Sequence, residues 1–200
     1  MGSHVIEIGA RVPRTSHPLL SRIAQRLLAL GGWRLDIHIP DEPRLMVLAA
    51  PHTSNWDGLL AMVAIVALQI RLALFIKHTA FEGVLGGPLR KFGALPIDRR
   101  APGGVVGQTI QAFREREQLL IGMAPEGTRK PVEKWKRGFY LIADAAQVPV
   151  VCAYVDFGRK VIGTGLVLRT TGDYARDLAE IQAFYRTITP KRPERFSALG

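Results

Sequence analysis

From residue 34 to residue 187 the chain alternates short, β-rich apolar runs with helical segments, and that alternation admits few architectures. Residues 34–39, 44–50, 71–77, 94–97, 119–124, 149–155 and 161–169 read as strands. Residues 57–69, 82–92, 104–116, 138–147 and 173–187 read as helices between or after them, with Asn55 and Asp57 as candidate caps of the first. Consecutive strands joined through helices run parallel, because a crossover returns the chain to the end of the sheet at which the first strand began. The expectation is a single α/β domain with a mostly parallel, mixed central sheet flanked by helices. In such sheets ligands bind at the carboxyl ends of the strands. Three loops occupy those ends: 51–57, 98–100 and 125–129.

A length of 200 residues suits one domain with a small appendage, here residues 1–33 ahead of a catalytic domain at 34–200. Residues 1–4 (MGSH) read as a vector-derived remnant, and no apolar secretory core follows. The longest unbroken apolar run, residues 59–68, is half of what a bilayer-spanning helix needs. Residues 17–30 differ: Leu19, Leu20, Ile23, Leu27 and Leu30 share one helical face and Ser21, Arg22, Gln25 and Arg26 the other. That apolar face packs on the domain or lies in a membrane interface with its arginines toward anionic head groups.

Charge limits the partners. Twenty-seven Lys and Arg stand against 17 Asp and Glu, and the basic residues are spread evenly over the chain, so no detachable basic tail accounts for the excess. The sign calls for an anionic partner: nucleic acid, anionic membrane or a phosphorylated substrate. Aromatic residues, at 8%, are too few for a base-stacking surface, which disfavours nucleic acid. One cysteine, Cys152, excludes an internal disulfide framework and a cysteine-based zinc site, so a reducing, cytosolic setting is expected.

Within the first loop, His52 follows a strand and Asp57 opens a helix. A tight turn between them brings a carboxylate to one ring nitrogen and leaves the other as a base for a hydroxyl proton. A structural alternative makes His52 a loop hydrogen-bonder and Asp57 a helix cap. There is no G-x-S-x-G, Ser54 sits inside the His52 loop, and Cys152 lies in the apolar run 150–154, where a buried thiol is expected. A base without a protein nucleophile suits direct transfer to a substrate hydroxyl. The loop Pro125-Glu126-Gly127-Thr128-Arg129, trailed by Lys130, Lys134, Lys136 and Arg137, offers a glycine turn, a hydroxyl and cations for a phosphate, and Arg99 and Arg100 add to it. A Walker loop is absent.

Four blocks in order resemble the lysophospholipid acyltransferase family, which includes 1-acylglycerol-3-phosphate and glycerol-3-phosphate acyltransferases. They are His52 to Asp57 (H-x-x-x-x-D), Gly93 to Arg99, Pro125 to Arg129 (P-E-G-T-R), and Val148-Pro149-Val150-Val151. Pro51 stands where many members carry Asn, and Pro96 and Ala124 where an aromatic is frequent. The strings APHTSNWD, KHTAFEG and KWKRGFY are similar to a compact bacterial branch. The resemblance implies a glycerolipid acyltransferase-like fold, His52 as general base and Asp57 as its orienter. It also implies that Arg99, Glu126, Gly127, Thr128 and Arg129, with Lys136 beside them, bind the acceptor's phosphate or polar head, and that Pro149 and Val150 wall the site or acyl channel. The expected reaction moves a fatty acyl group from acyl-CoA or acyl carrier protein to a lysophospholipid hydroxyl, without a cofactor, a metal or an acyl-enzyme. The acceptor and the product are membrane lipids, so the enzyme is expected at the cytoplasmic face of the membrane, peripheral or monotopic. The alternatives are the same chemistry on a glycolipid, a lyso-ornithine-type lipid or a secondary metabolite, and a catalytically silent lipid or acyl-thioester binding protein.

Overall fold

A computed structural model describes residues 5–77, 95–98, 103–128 and 132–196. The expected helix at 82–92, and the arginines Arg99 and Arg129, lie outside them. Nine strands and five α-helices are described: β1 (Ile6–Ile8), α1 (Pro18–Leu30), β2 (Arg34–Ile39), β3 (Arg44–Ala49), α2 (Asn55–Ala67), β4 (Leu72–Ala73), β5 (Phe75–Lys77), β6 (Leu95–Ile97), α3 (Gly104–Glu115), β7 (Leu119–Met123), α4 (Gly138–Ala146), β8 (Val150–Asp156), β9 (Val161–Leu168) and α5 (Tyr174–Tyr185).

Seven strands form one sheet in the order β1-β2-β9-β8-β3-β7-β4. Every pairing is parallel except β8 with β9, which is antiparallel through the tight turn at 157–160. The mostly parallel, mixed sheet expected from the alternation is therefore the one that forms. The expected strand at 71–77 is divided at Leu74, and its second half, β5, pairs with β6 in a separate ribbon.

Both faces of the sheet centre are covered, which explains why its strands are almost continuously apolar. Met46, Leu48, Leu119, Ile121, Val150 and Cys152 point into a core shared with Phe113, Phe139, Ile142, Ile181 and Tyr185. Their neighbours Leu45, Leu120, Val151 and Val155 point the other way, toward Ala24, Leu28, Ala64 and Leu68 of the α1 and α2 layer. Toward the sheet edge, β2 buries Leu35, Ile37 and Ile39 and exposes Arg34, Asp36 and His38, the period-two pattern of a half-covered strand.

Residues 5–33 are built into this body. β1 extends the sheet beside β2, and α1 packs on α2. Helix α1 meets α2 through the side that carries Ser21, Ala24 and Leu28, all buried; Ser21 Oγ donates to Ala67 O at 2.7 Å, and Gln25 Nε2 donates to the same oxygen at 3.2 Å. Its apolar residues are turned outward, with Leu19 70% and Leu30 86% exposed and Leu20, Ile23 and Leu27 exposed between them. Helix α2 adds Trp56, Leu59, Met62 and Val66, also exposed. Among the described residues no helix is long and apolar enough to cross a membrane.

Candidate active site

The carboxyl ends of β3 and β7 lie side by side, because the two strands pair in register from Arg44 with Leu119 to Leu48 with Met123. Each then runs into a tight loop, one carrying His52 and the other Glu126, so the topology alone brings the two loops together. The Ala50–Pro51 peptide that opens the first loop is cis.

Asp57 organises that loop from inside. It stands at the third position of α2, whose N-cap is Ser54, where Asn55 or Asp57 itself was expected. Its Oδ2 accepts the backbone N–H groups of Thr53 and Ser54 at 2.7 and 2.6 Å, and its Oδ1 accepts the Ser54 hydroxyl at 3.1 Å. A carboxylate at the first turn of a helix satisfies amides that the helix leaves unpaired and complements its dipole. Ser54 is consequently a capping residue with a committed hydroxyl. The ring of His52, half-buried, lies along the same first turn, with Cε1 3.6 Å from where a Gly58 side chain would begin. Both His52 and Asp57 face one cavity.

Glu126 is the residue whose placement the sequence left least foreseen. It is only 6% exposed, and its two carboxylate oxygens accept the His52 backbone N–H at 3.1 and 3.0 Å. Burial raises its pKa to about 7; the His52 N–H works against that rise and the Asp57 charge adds to it. Next to it, Gly127 adopts φ +63°, a backbone state suited to glycine, and the amine of Lys136 occupies the space a side chain there would need, 2.8 Å from the ideal Cβ position. The Lys136 N–H donates to Pro125 O at 2.9 Å, which ties the basic segment to the Glu126 turn. Thr128 is exposed on the same turn. Thus His52, Asp57, Glu126, Gly127, Thr128 and Lys136 come together. Asp98, at the end of the second block, is clamped by Gln108 of α3, which accepts its N–H at 3.1 Å and donates to its carbonyl at 2.6 Å.

Pro149 and Val150 are not brought to this site. They stand at the amino end of β8, where Met46 N–H donates to Pro149 O and Val150 is fully buried in the core. A parallel neighbour of β3 reaches the His52 end only with its last residues, and the cavity wall from β8 is formed by Ala153, Tyr154 and Val155. Cys152 is buried, with its thiol pushed up to about 12 by that burial, which leaves it no role as a nucleophile.

The cavity measures about 330 Å³ and runs from His52 between α2 and the sheet. Apart from His52, Asp57 and Thr164 its lining is glycine or apolar, apart also from the Tyr154 ring. Among the described residues no cluster of His, Cys, Asp and Glu could hold a metal ion. The arrangement pairs a positioned imidazole with an apolar chamber large enough for an alkyl chain.

A family model described as acyltransferase matches residues 36–156, more than half of the chain. The chain belongs to that acyltransferase family. It is 30% identical to the 1-acyl-sn-glycerol-3-phosphate acyltransferase of Streptococcus pneumoniae over 114 residues, covering 56% of this chain and 42% of that protein. To the enzyme of the same name from Bacillus subtilis it is 32% identical over 110 residues, covering 54% and 53%. The chain therefore spans about half the length of these relatives. Its fold is similar to the crystal structure of the 1-acyl-sn-glycerophosphate acyltransferase of Thermotoga maritima, with a TM-score of 0.56 at 16% identity over 84% of this chain and 76% of that one.

Proposed function

We propose that this protein transfers a fatty acyl group from a thioester donor, acyl-CoA or acyl carrier protein, to the free hydroxyl of 1-acylglycerol-3-phosphate at a membrane surface. The observation that carries the reading is the placement of His52 at the mouth of an apolar cavity, on a turn held by two carboxylates. The imidazole takes the acceptor's hydroxyl proton as its oxygen attacks the thioester carbonyl. The tetrahedral intermediate collapses, the C–S bond breaks, and the imidazolium returns the proton to the leaving thiolate. Asp57 keeps the turn in shape and supplies negative charge beside the imidazolium. Lys136 at the Gly127 turn, with Arg99 and Arg129, binds the acceptor phosphate. The apolar cavity takes the acyl chain. Purified protein given labelled acyl-CoA or acyl carrier protein with lysophosphatidate is expected to form phosphatidate and to release thiol only when acceptor is present. Thiol release without acceptor would make it a thioesterase, and product only from another lipid hydroxyl would reassign the acceptor.

Membrane contact is proposed to run through the outward faces of α1 and α2. A soluble surface seldom shows nine large apolar side chains on two adjacent helices. Arg22 and Arg26, exposed on α1, lie where they meet anionic head groups. In liposome flotation, anionic vesicles are expected to carry the intact protein, and a variant with Leu27 and Leu59 changed to Glu is expected to stay in the dense fraction. Equal flotation of the two would refute the surface.

A further inference from the structure

Beyond the family match, which ends at residue 156, the chain returns to the catalytic loop. After α5 the segment 186–196 crosses the carboxyl ends of two neighbouring strands. At β8, Phe157 N–H donates to Thr189 O at 2.8 Å, and the Thr189 side chain packs on Gly158. At β3, Arg192 N–H donates to Thr53 Oγ1 at 3.3 Å, directly beside His52. Pro190, between these anchors, is buried, as is Thr53. Beyond Arg192 a short turn of 3-10 helix, Pro193–Arg195, leads to Phe196, which packs on the main core. The segment is thus fixed at four places within eleven residues.

Its charge is one-sided: Arg186, Lys191, Arg192 and Arg195 stand against Glu194. Lys191 rests over the Phe157 ring, with its amine 5.3 Å from the ring centre. Arg192 is exposed and its guanidinium forms no ion pair among the described residues. An arginine held by its own backbone against the catalytic turn, with its charge unspent, sits where a parallel sheet binds its ligands. Lys136, whose amine lies against the Gly127 turn that follows β7, is a second cation at these strand ends. We infer that residues 189–196 form a wall of the active site and that Arg192 binds a substrate phosphate there. The inference rests on acyl transfer at His52. The shared chemistry is a phosphate ester, which both the donor's pantetheine arm and nucleotide and the acceptor's head group carry.

Arg192→Ala removes the guanidinium and keeps the N–H that anchors Thr53, so charge is tested apart from the fold. Arg176→Ala, on the exposed side of α5, serves as the control for net charge. Equilibrium binding of coenzyme A and of glycerol 3-phosphate, read without turnover, is measured beside the KM for acyl-CoA and lysophosphatidate. The phosphate-free counterparts are acyl-pantetheine and monoacylglycerol. Arg192→Ala is expected to weaken one phosphate probe about tenfold, the size of one lost charge-assisted hydrogen bond, with kcat and the phosphate-free counterpart unchanged. Arg192→Lys should recover part of the loss, and Arg176→Ala should match wild type. Loss confined to coenzyme A assigns the donor, and loss confined to glycerol 3-phosphate assigns the acceptor. Wild-type binding of both probes by Arg192→Ala, or an equal loss for the phosphate-free counterparts, would overturn the inference while leaving acyl transfer standing. Absence of thioester turnover and of probe binding in wild type would overturn both.

Discussion

Glu126 offers a test that does not depend on knowing the substrate. Its carboxyl is carried from an ordinary value of 4.5 to about 7 by burial, with the Asp57 charge adding to the rise. A group whose pKa is raised on folding binds its proton more tightly in the native state, so its stabilising contribution is full below pH 4.5 and is lost as pH climbs through 7. Converting 4.5 to 7 at 1.36 kcal/mol for each pH unit gives about 3 kcal/mol of stability lost across that window. Glu126→Gln keeps a carbonyl able to accept the His52 N–H and removes the titration. The variant should therefore gain on wild type by about 3 kcal/mol between pH 4 and pH 8, an amount readable from denaturant midpoints at the two pH values. Other titrating groups are common to both proteins and cancel in the difference. Parallel curves for the two proteins would show that Glu126 is not held in a proton-retaining site, and the account of this loop would fail.

His52→Ala is expected to lower acceptor-dependent turnover by about 10² to 10⁴ with the melting temperature little changed, and a variant within tenfold of wild type would remove the general-base role. Gly58→Ala places a methyl in ordinary contact with the His52 ring and removes a glycine from the first turn of α2, so it should stabilise the protein by up to about 1 kcal/mol at unchanged kcat. A fall in thermal midpoint would contradict the ring position. Asp57→Ala strips the acceptor from two loop amides and a hydroxyl and should cost roughly 1 to 2 kcal/mol in denaturant unfolding as well as activity.

The central strands were legible because burial on both faces makes them continuous apolar runs, and β2 because half-burial makes it alternate. β1, three residues with two exposed, has too little pattern to read, and the break at Leu74 follows from the two ribbons competing for one run. At the site, His52 and Asp57 were legible as a pair because only four residues separate them. That Glu126 accepts the His52 N–H depends on β3 and β7 being neighbours, a fact of topology and not of local spacing. The misplacement of Pro149 and Val150 has the same origin: proximity in the motif order says nothing about which end of a parallel strand a block occupies. The outward apolar face of α1 was readable as a face, and only packing could show that Ser21, Ala24 and Leu28 are the residues buried.

Arg192 and Thr53, joined by a hydrogen bond, stand 139 positions apart in the chain. Glu126 is synthesised 74 positions after His52, and the segment around Arg192 later still. During synthesis the His52 loop therefore gains these two contacts only after α1 and α2 have emerged.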